Sequence, residues 1–212
     1  MKVTISFTKM KVSSKETMHL INKTNADYLH IDLMDGKFVV PKQQLIADLK
    51  KIMPFTTKML DVHLMAAKPL QYLAFFAEHN TEYFTFHLEA VSDIEKTIEA
   101  VKTTGLKVGL ALKLETDVDM VLPFVHLIDQ VLIMSCEVGY GGTPFNDSCL
   151  EKIRILKKYR EDHGLNYLIS VDGGINEETI SLVKIAGTDM VVSGSYICMS
   201  GDYQKNIDQL KL

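Results

Sequence analysis

Short runs typical of β-strands alternate with longer runs typical of helices along this chain of 212 residues. Consecutive strands joined by a helix run parallel, because the helix carries the chain back to the edge where the first strand began. The alternation therefore predicts an α/β protein, either a closed (β/α)8 barrel or an open, doubly wound sheet. The predicted strands are Val3–Phe7, the run around His30, Lys58–His63, Tyr83–His87, Lys107–Leu112, Asp129–Met134, Tyr167–Val171 and Asp189–Val192.

Start and stop signals place helices between these strands. Capping boxes are predicted at Ser13–Glu16 and Ser92–Glu95, and glycines are predicted to end three later helices. No low-complexity segment or proline-rich linker interrupts the pattern, so residues 1–212 are predicted to form a single domain. The predicted helices are 14–23, Gln43–Lys51, 69–78, 93 to Gly105, a short one at Asp117–Leu122, Asp147–Glu161 before Gly164, one capped by Asn176 and stopped at Gly187, and the tail from Asp202.

Polar residues at the strand ends decide between the two architectures. In a barrel the carboxyl ends of all strands converge on one central face, whereas an open sheet would spread the same residues along an edge. We therefore predict one small (β/α)8 barrel with short loops. The residues are His30, Asp32, His63, His87, Met134 and Asp172.

A metal site is predicted inside this barrel. His30, Asp32 and Met34 share one strand face, and burying a histidine beside an aspartate is costly unless something pairs with them. His63 and Asp172 end two further strands, and imidazole with carboxylate suits zinc best, with iron, manganese or cobalt as alternatives. The competing interpretation makes each histidine a satisfied core residue and each aspartate a cap.

Glycines cluster after the last three predicted strands, where barrels often bind phosphate. Glycine lets backbone N–H groups approach an anion closely, so the three clusters predict a phosphate site, although any one of them alone is typical of an ordinary turn. They are Gly139-Tyr140-Gly141-Gly142, Gly173-Gly174 and Gly194-Ser195.

Sulfur-containing side chains lie near the same strand ends. Met34, Met65 and Met134 follow inward-facing positions, so they are interpreted either as ordinary packing or as the lining of the metal pocket. Cys136 precedes the first glycine cluster, but the sequence shows no base dedicated to it, and we expect an inert thiol.

A metal beside a phosphate site suits a phosphorylated sugar that chelates through a carbonyl and a neighbouring hydroxyl. The metal would acidify the adjacent C–H bond and stabilise the enediolate. Asp32 and Asp172 come from nearly opposite sides of the predicted barrel, so one could remove a proton and the other return it on the opposite face. The predicted result is inversion of one carbon.

These motifs together resemble the ribulose-phosphate 3-epimerase family, in order over essentially the whole chain. The motifs are His30–Gly36, Asp61–Met65, Met134-Ser135 with Gly139–Gly142, and Val171–Gly174. The resemblance implies a (β/α)8 barrel that interconverts D-ribulose 5-phosphate and D-xylulose 5-phosphate, with a divalent ion on His30, Asp32, His63 and Asp172 and with Asp32 and Asp172 as the acid–base pair. It also implies substrate contacts from Ser6, His63, Met34, Met65, Met134, Gly139, Tyr140, Gly141, Gly142, Gly173, Gly174, Gly194 and Ser195.

Several positions depart from the family's usual residues, and we expect them to line the substrate mouth. They are Ile5, Lys37, Val40, Lys113 and Glu137. Within the family, Ala26–Asp32 is also similar to allulose-6-phosphate 3-epimerases, which act on a longer sugar. The pentulose and the hexulose phosphate therefore stay open as alternative substrates.

Two other functions compete with epimerisation. Aldolases and decarboxylases on related barrels commonly add a lysine near the metal carboxylate, but no lysine stands two positions after Asp32 or Asp172. A non-catalytic sugar-phosphate binder would be favoured by loss of either aspartate, and both are present.

Composition limits which binding partners and which cellular compartment we expect for this protein. A net charge of −4 and a pI near 6.0 argue against nucleic acid, and no apolar run approaches membrane-spanning length. The three cysteines are widely spaced and odd in number, and the first residues are too short for a signal sequence, so we expect a cytoplasmic protein. The family resemblance implies a homo-oligomer.

Overall fold

Eight parallel strands form the centre of the computed structural model, which describes residues 1–7, 14–40, 42–43 and 45–212. Each strand is mostly buried, as expected for a parallel sheet covered by helices. The strands are β1 (Lys2–Ser6), β2 (Tyr28–Asp35), β3 (Leu60–Met65), β4 (Thr81–His87), β5 (Lys107–Leu112), β6 (Gln130–Met134), β7 (Leu168–Asp172) and β8 (Met190–Ser193).

The sheet closes on itself. Every strand pairs in parallel with its neighbours in the chain, and β1 pairs with both β8 and β2. A two-residue strand, Lys42–Gln43, adds antiparallel pairing on the outer end of β2. The predicted (β/α)8 barrel is therefore confirmed.

Helices connect most strands on the outside of the barrel. They are α1 (Ser14–Asn22), α2 (Ile46–Ile52), α3 (Leu73–Ala77), α4 (Ile94–Lys102), α5 (Cys149–Asp162), α6 (Ile180–Ala186), α7 (Ser195–Cys198) and α8 (Tyr203–Lys211). Short 3-10 turns supplement them at Met53–Phe55, Pro69–Tyr72, Leu88–Ala90, Val118–Met120 and Leu122–Phe124.

Three helix predictions were wrong in detail. The short helix at Asp117–Leu122 is instead two 3-10 turns, and Pro123 near the start of the second has no N–H to continue a helix. Gln43 lies in the two-residue strand, so α2 begins only at Ile46. The segment that starts at Pro69 is a 3-10 turn before it becomes α3.

Two capping predictions were also wrong. The N-cap of α4 is Asp93 rather than Ser92, because the Asp93 carboxylate accepts the Lys96 N–H. Asn176 accepts N–H groups of the turn before α6, whose own N-cap is Thr179. Ser13, in the other predicted capping box, lies outside the described residues.

Strand alternation gives the barrel two different faces. Outward-facing residues such as Ile31, Val62 and Phe84 are fully buried in the main hydrophobic cluster, which also holds helix residues such as Leu49 and Ile98. No helix among the described residues is long and apolar enough to cross a membrane.

The barrel interior is more polar than this outer layer. Thr4, Asp61, Thr85, Gln130 and Ser170 are all 0% exposed there. Gln130 Nε2 donates to Asp61 Oδ1 over 3.5 Å and to Thr85 Oγ1 over 3.3 Å, so the interior side chains bond across several strands. This buried layer lies below the carboxyl ends of the strands and supports the side chains at those ends.

Gly109 on β5 leaves the space that Thr85 occupies on the neighbouring strand. A Cβ at position 109 would lie 2.1 Å from Thr85 Oγ1, a severe overlap inside a packed barrel. We expect Gly109→Ala to lower the free energy of unfolding by about 1–3 kcal/mol, measured by urea denaturation. Gly201→Ala is the matched control, because a Cβ there meets nothing within 4 Å, and equal stability of the two variants would contradict the packing argument.

Candidate active site

Two histidines and two aspartates converge at the carboxyl end of the barrel. His30 and Asp32 come from β2, His63 from β3 and Asp172 from β7. Asp32 lies beside His63 in the β2–β3 register, and one ligand atom from each of the four residues lies within 4.8 Å of the others. A buried cluster of this kind could hold a divalent metal ion.

The distances within the cluster link both histidines to both carboxylates. His30 Nε2 lies 3.1 Å from Asp32 Oδ1 and 3.9 Å from Asp172 Oδ2. His63 Nδ1 lies 3.3 Å from Asp32 Oδ1 and 3.6 Å from Asp172 Oδ2. His30 is the third residue of β2 rather than its end, so it approaches the carboxylates from deeper in the barrel than expected.

Asp61 orients His30 although sequence reasoning gave it no role. Its carboxylate Oδ2 lies 2.7 Å from His30 Nδ1, and both side chains are fully buried. Because a carboxylate only accepts, Nδ1 carries a hydrogen toward Asp61, and Nε2 is the nitrogen that can bind a metal ion. The available signal was spacing, since Asp61 precedes His63 by two residues and shares its strand face.

Without a metal ion, mutual attraction between the histidines and the carboxylates favours the charged form of each group. Burial alone would lower the pKa of His30, but Asp32 and Asp61 outweigh it and raise that pKa well above its ordinary value. Burial alone would raise the pKa of Asp32, but His30 and His63 outweigh it and hold that pKa far below its usual range. Among the described residues, no lysine or arginine pairs with Asp32 or Asp172, which suits a bound cation.

Ser6 engages the remaining oxygen of Asp32. Its hydroxyl donates to Asp32 Oδ2 over 2.6 Å, while Oδ1 faces the two histidines. Ser6 ends β1, which pairs with β2, so the barrel register brings it to the carboxylate.

One cavity brings together the residues predicted for substrate and the two carboxylates. His30 and His63 do not line it, because they lie beneath Asp32 and Asp172 and are fully buried. Sequence reasoning missed Ile175 and Val192, which also line the cavity. Glu137, which was expected at the substrate mouth, and Cys136 line it as well. The predicted residues that line it are Ser6, Asp32, Met34, Met65, Met134, Gly139, Tyr140, Gly141, Gly142, Asp172, Gly173, Gly174, Gly194 and Ser195.

The wall after β7 requires glycine at two positions. Gly173 has φ 121°, and a Cβ there would lie 2.5 Å from Cys136 Sγ. Gly174 has φ 61°, and a Cβ there would lie 2.5 Å from the Phe145 amide nitrogen. Bare backbone therefore faces the cavity, as anion binding through N–H groups requires.

The sulfur-containing residues pack into one apolar cluster above the carboxylates. The cluster consists of Met34, Met65, Met134, Cys136 and Val138, and the partly buried Phe38 and Val39 pack against it. Burial raises the pKa of Cys136 to about 11, so its thiol stays protonated at neutral pH, as the expectation of an inert cysteine requires.

Of the five named positions that depart from the family pattern, Glu137 is the one that lines the cavity among the described residues. Ile5 is fully buried in the outer core, so its expected place at the substrate mouth was wrong. Val40 is 85% exposed, and Lys113 Nζ lies 4.5 Å from the centre of the Phe38 ring.

Comparison with known proteins assigns the family. A family model described as the ribulose-phosphate 3 epimerase family matches residues 3–198. The chain belongs to the ribulose-phosphate 3-epimerase family. Ribulose-phosphate 3-epimerase of Bacillus subtilis is 36% identical over 90% of this chain and 88% of its own length. That of Synechocystis is 34% identical over 91% of this chain and 84% of its own length.

More distant structures share the barrel. The 3-hexulose-6-phosphate synthase of Salmonella typhimurium matches with TM-score 0.68 and 18% identity over 99% of this chain and 96% of its own. KGPDC of Streptococcus mutans matches with TM-score 0.70 and 13% identity over 99% of this chain and 95% of its own. At these identities the likeness concerns the fold. Membership of the epimerase family makes this chain an isomerase acting on carbohydrates.

Removing the charge of Asp61 tests how the cluster is oriented. We expect Asp61→Asn to lower Zn²⁺ affinity about 10- to 100-fold, because an uncharged amide holds the His30 Nδ1–H less strongly than a carboxylate and can turn its NH₂ group toward that nitrogen. Isothermal titration of metal-free protein with Zn²⁺ measures the change. Asp48→Asn, at an exposed position on α2, is the control, and equal affinities in the two variants would refute the orienting role.

Proposed function

We propose that this protein is a metal-dependent ketose-phosphate 3-epimerase that interconverts D-ribulose 5-phosphate and D-xylulose 5-phosphate by proton transfer at carbon 3. One observation supports it above the others. Asp32 and Asp172 line the floor of a cavity whose wall is glycine-rich backbone, so acid–base groups and a candidate phosphate site face the same small space.

The two aspartates would perform the inversion. They lie on β2 and β7, with β1 and β8 between them, and therefore approach a planar substrate from different sides. One carboxylate removes the proton from carbon 3, and the other delivers a proton to the opposite face. Each such acid–base group typically contributes about 100- to 10,000-fold to the rate.

His30, His63, Asp32 and Asp172 would hold the divalent ion, with zinc preferred and iron, manganese or cobalt as alternatives. When bound, such an ion supplies Lewis-acid polarisation of the ketose carbonyl and stabilises negative charge on the enediolate oxygens. Ser6 holds Asp32 through Oδ2, which keeps that carboxylate oriented toward the cavity.

The remaining lining residues would position the substrate. Backbone N–H groups of the glycine segments bind the phosphate, and Ser195, which begins α7, adds a hydroxyl. Met34, Met65 and Met134 flank the enediolate with apolar surface that keeps water from it. We also propose a cytoplasmic homo-oligomer, as the family resemblance implies.

Asp172→Asn tests the two-carboxylate mechanism. We expect at least a 100-fold loss of deuterium exchange at carbon 3, followed by NMR in deuterium oxide, because the amide cannot accept or return the proton. Asp119→Asn, an exposed carboxylate on a 3-10 turn, serves as the matched control. Near-normal turnover of Asp172→Asn with metal bound would overturn the mechanism.

Substrate length is read from the same assay. Ribulose 5-phosphate and allulose 6-phosphate are offered separately, and we expect faster exchange with the pentulose. No exchange with either sugar, in protein shown to contain metal, would instead favour a non-catalytic sugar-phosphate binder.

Metal removal tests the ligand set. Treatment with a chelator should abolish exchange, and added Zn²⁺ or Mn²⁺ should restore it, because both histidines and both carboxylates face one ion-sized space. Metal content is measured alongside activity by atomic absorption. Full activity in protein shown to be free of metal would exclude the proposed site.

A further inference from the structure

A second buried histidine lies directly behind His63. His87 ends β4, and its Nε2 lies 2.8 Å from His63 Nε2. The ring centres are 5.0 Å apart, and both side chains are fully buried. The nitrogen of His63 that faces away from the carboxylates is therefore committed to His87.

A glutamate closes the other end of this pair. Glu89 lies in the 3-10 turn after β4, and its Oε2 is 3.2 Å from His87 Nδ1. Its second oxygen, Oε1, accepts the Lys113 N–H over 2.9 Å and also the Thr116 hydroxyl. Glu89 is thus fixed by hydrogen bonds on both carboxylate oxygens.

The direction of each hydrogen bond follows from the glutamate. An ionised carboxylate only accepts, so His87 Nδ1 must carry the hydrogen that it donates to Glu89. Only one hydrogen fits between His87 Nε2 and His63 Nε2, which lie 2.8 Å apart. In its neutral form His87 keeps its hydrogen on Nδ1, so its Nε2 is an acceptor. His63 consequently donates from Nε2, so Nδ1 is the nitrogen that is left to bind a metal ion.

His63 Nδ1 faces the proposed metal site. His63 Nδ1 lies 3.3 Å from Asp32 and 3.6 Å from Asp172, on the side where the four ligand atoms converge. We propose that Glu89 and His87 are positioning residues that select the His63 tautomer whose Nδ1 can bind the metal. This inference rests on the proposed function, because it concerns a ligand of that ion.

The two histidine ligands would then bind through different nitrogens. Asp61 holds the hydrogen on His30 Nδ1, so His30 presents Nε2, whereas Glu89 acting through His87 makes His63 present Nδ1. Each imidazole has its own carboxylate, but the one serving His63 acts through an intervening ring.

Two neighbouring side chains shield this chain of hydrogen bonds. The Phe38 ring centre lies 4.9 Å from that of His87, and Lys113 Nζ lies 4.5 Å over the Phe38 ring. Hydrogen bonds shielded from water in this way are stronger than exposed ones. The backbone N–H of the same Lys113 donates to Glu89.

Glu89→Gln should reverse the donor and acceptor roles in the hydrogen bonds that link residue 89, His87 and His63. The Lys113 N–H and the Thr116 hydroxyl both donate to one oxygen of residue 89, so the amide oxygen of glutamine would occupy that side. The amide NH₂ would then face His87 Nδ1 as a donor. His87 would become an Nε2–H donor to His63, and His63 would carry its hydrogen on Nδ1, the nitrogen needed for the metal.

Ring-nitrogen NMR of ¹⁵N-histidine-labelled, metal-free protein at pH 9 tests this directly. In the wild type we expect hydrogen on His87 Nδ1 and on His63 Nε2, and in Glu89→Gln the opposite arrangement. Glu95→Gln, an exposed glutamate on α4, should match the wild type. Hydrogen on His63 Nδ1 but not on Nε2 in the wild type, or unchanged tautomers in Glu89→Gln, would overturn the proposal.

Binding of ¹¹³Cd²⁺ supplies a second readout. We expect ¹⁵N–¹¹³Cd coupling at Nδ1 of His63 and Nε2 of His30, and an affinity about 10- to 100-fold lower in Glu89→Gln at unchanged thermal stability. Wild-type affinity in Glu89→Gln would refute the positioning role while leaving the proposed function intact. Failure of the wild type to bind any metal would instead refute the proposed function, and the metal-free tautomers would still judge the hydrogen-bond chain.

Discussion

Burial of charge inside a closed barrel is the constraint on which this structure depends. His30, Asp61 and His63 are fully buried, and each would be expensive there without a partner. The parallel register supplies those partners by placing Asp32 beside His63 and His30 beside Asp61. Strand pairing and electrostatics therefore reinforce each other, because a slip of one residue would turn every one of these groups toward the helices.

The strands and the loops contribute different groups to the site. The strands carry the two histidines and the two carboxylates, whose positions are fixed by the neighbouring strands. The loops after β6, β7 and β8 carry the glycine segments, which line the wall of the cavity. In the proposed function, this division keeps the acid–base groups still while loop backbone accommodates the end of the sugar.

The strand–helix alternation and the polar strand ends were enough to predict the barrel and the four-residue cluster. Both depend on periodicity within single segments, which a sequence displays directly. The spacing of Asp61 from His63 showed a shared strand face, but the partners of Asp61 and Glu89 could not be predicted, because they lie on other strands and depend on register. The segment at Asp117–Leu122 failed for a local reason, since a proline there favours tight turns over a continuous helix.

The two histidines that lie under the cavity floor determine how the centre can be assembled. Neither lines the cavity, so among the described residues the route from the cavity to these histidines passes Asp32 and Asp172, through the opening that the sugar phosphate would also use. In the proposed function, the ion and the substrate therefore enter through the same opening of the cavity. The ion must then bind before the substrate, and a bound sugar phosphate slows dissociation of the ion because it blocks that opening.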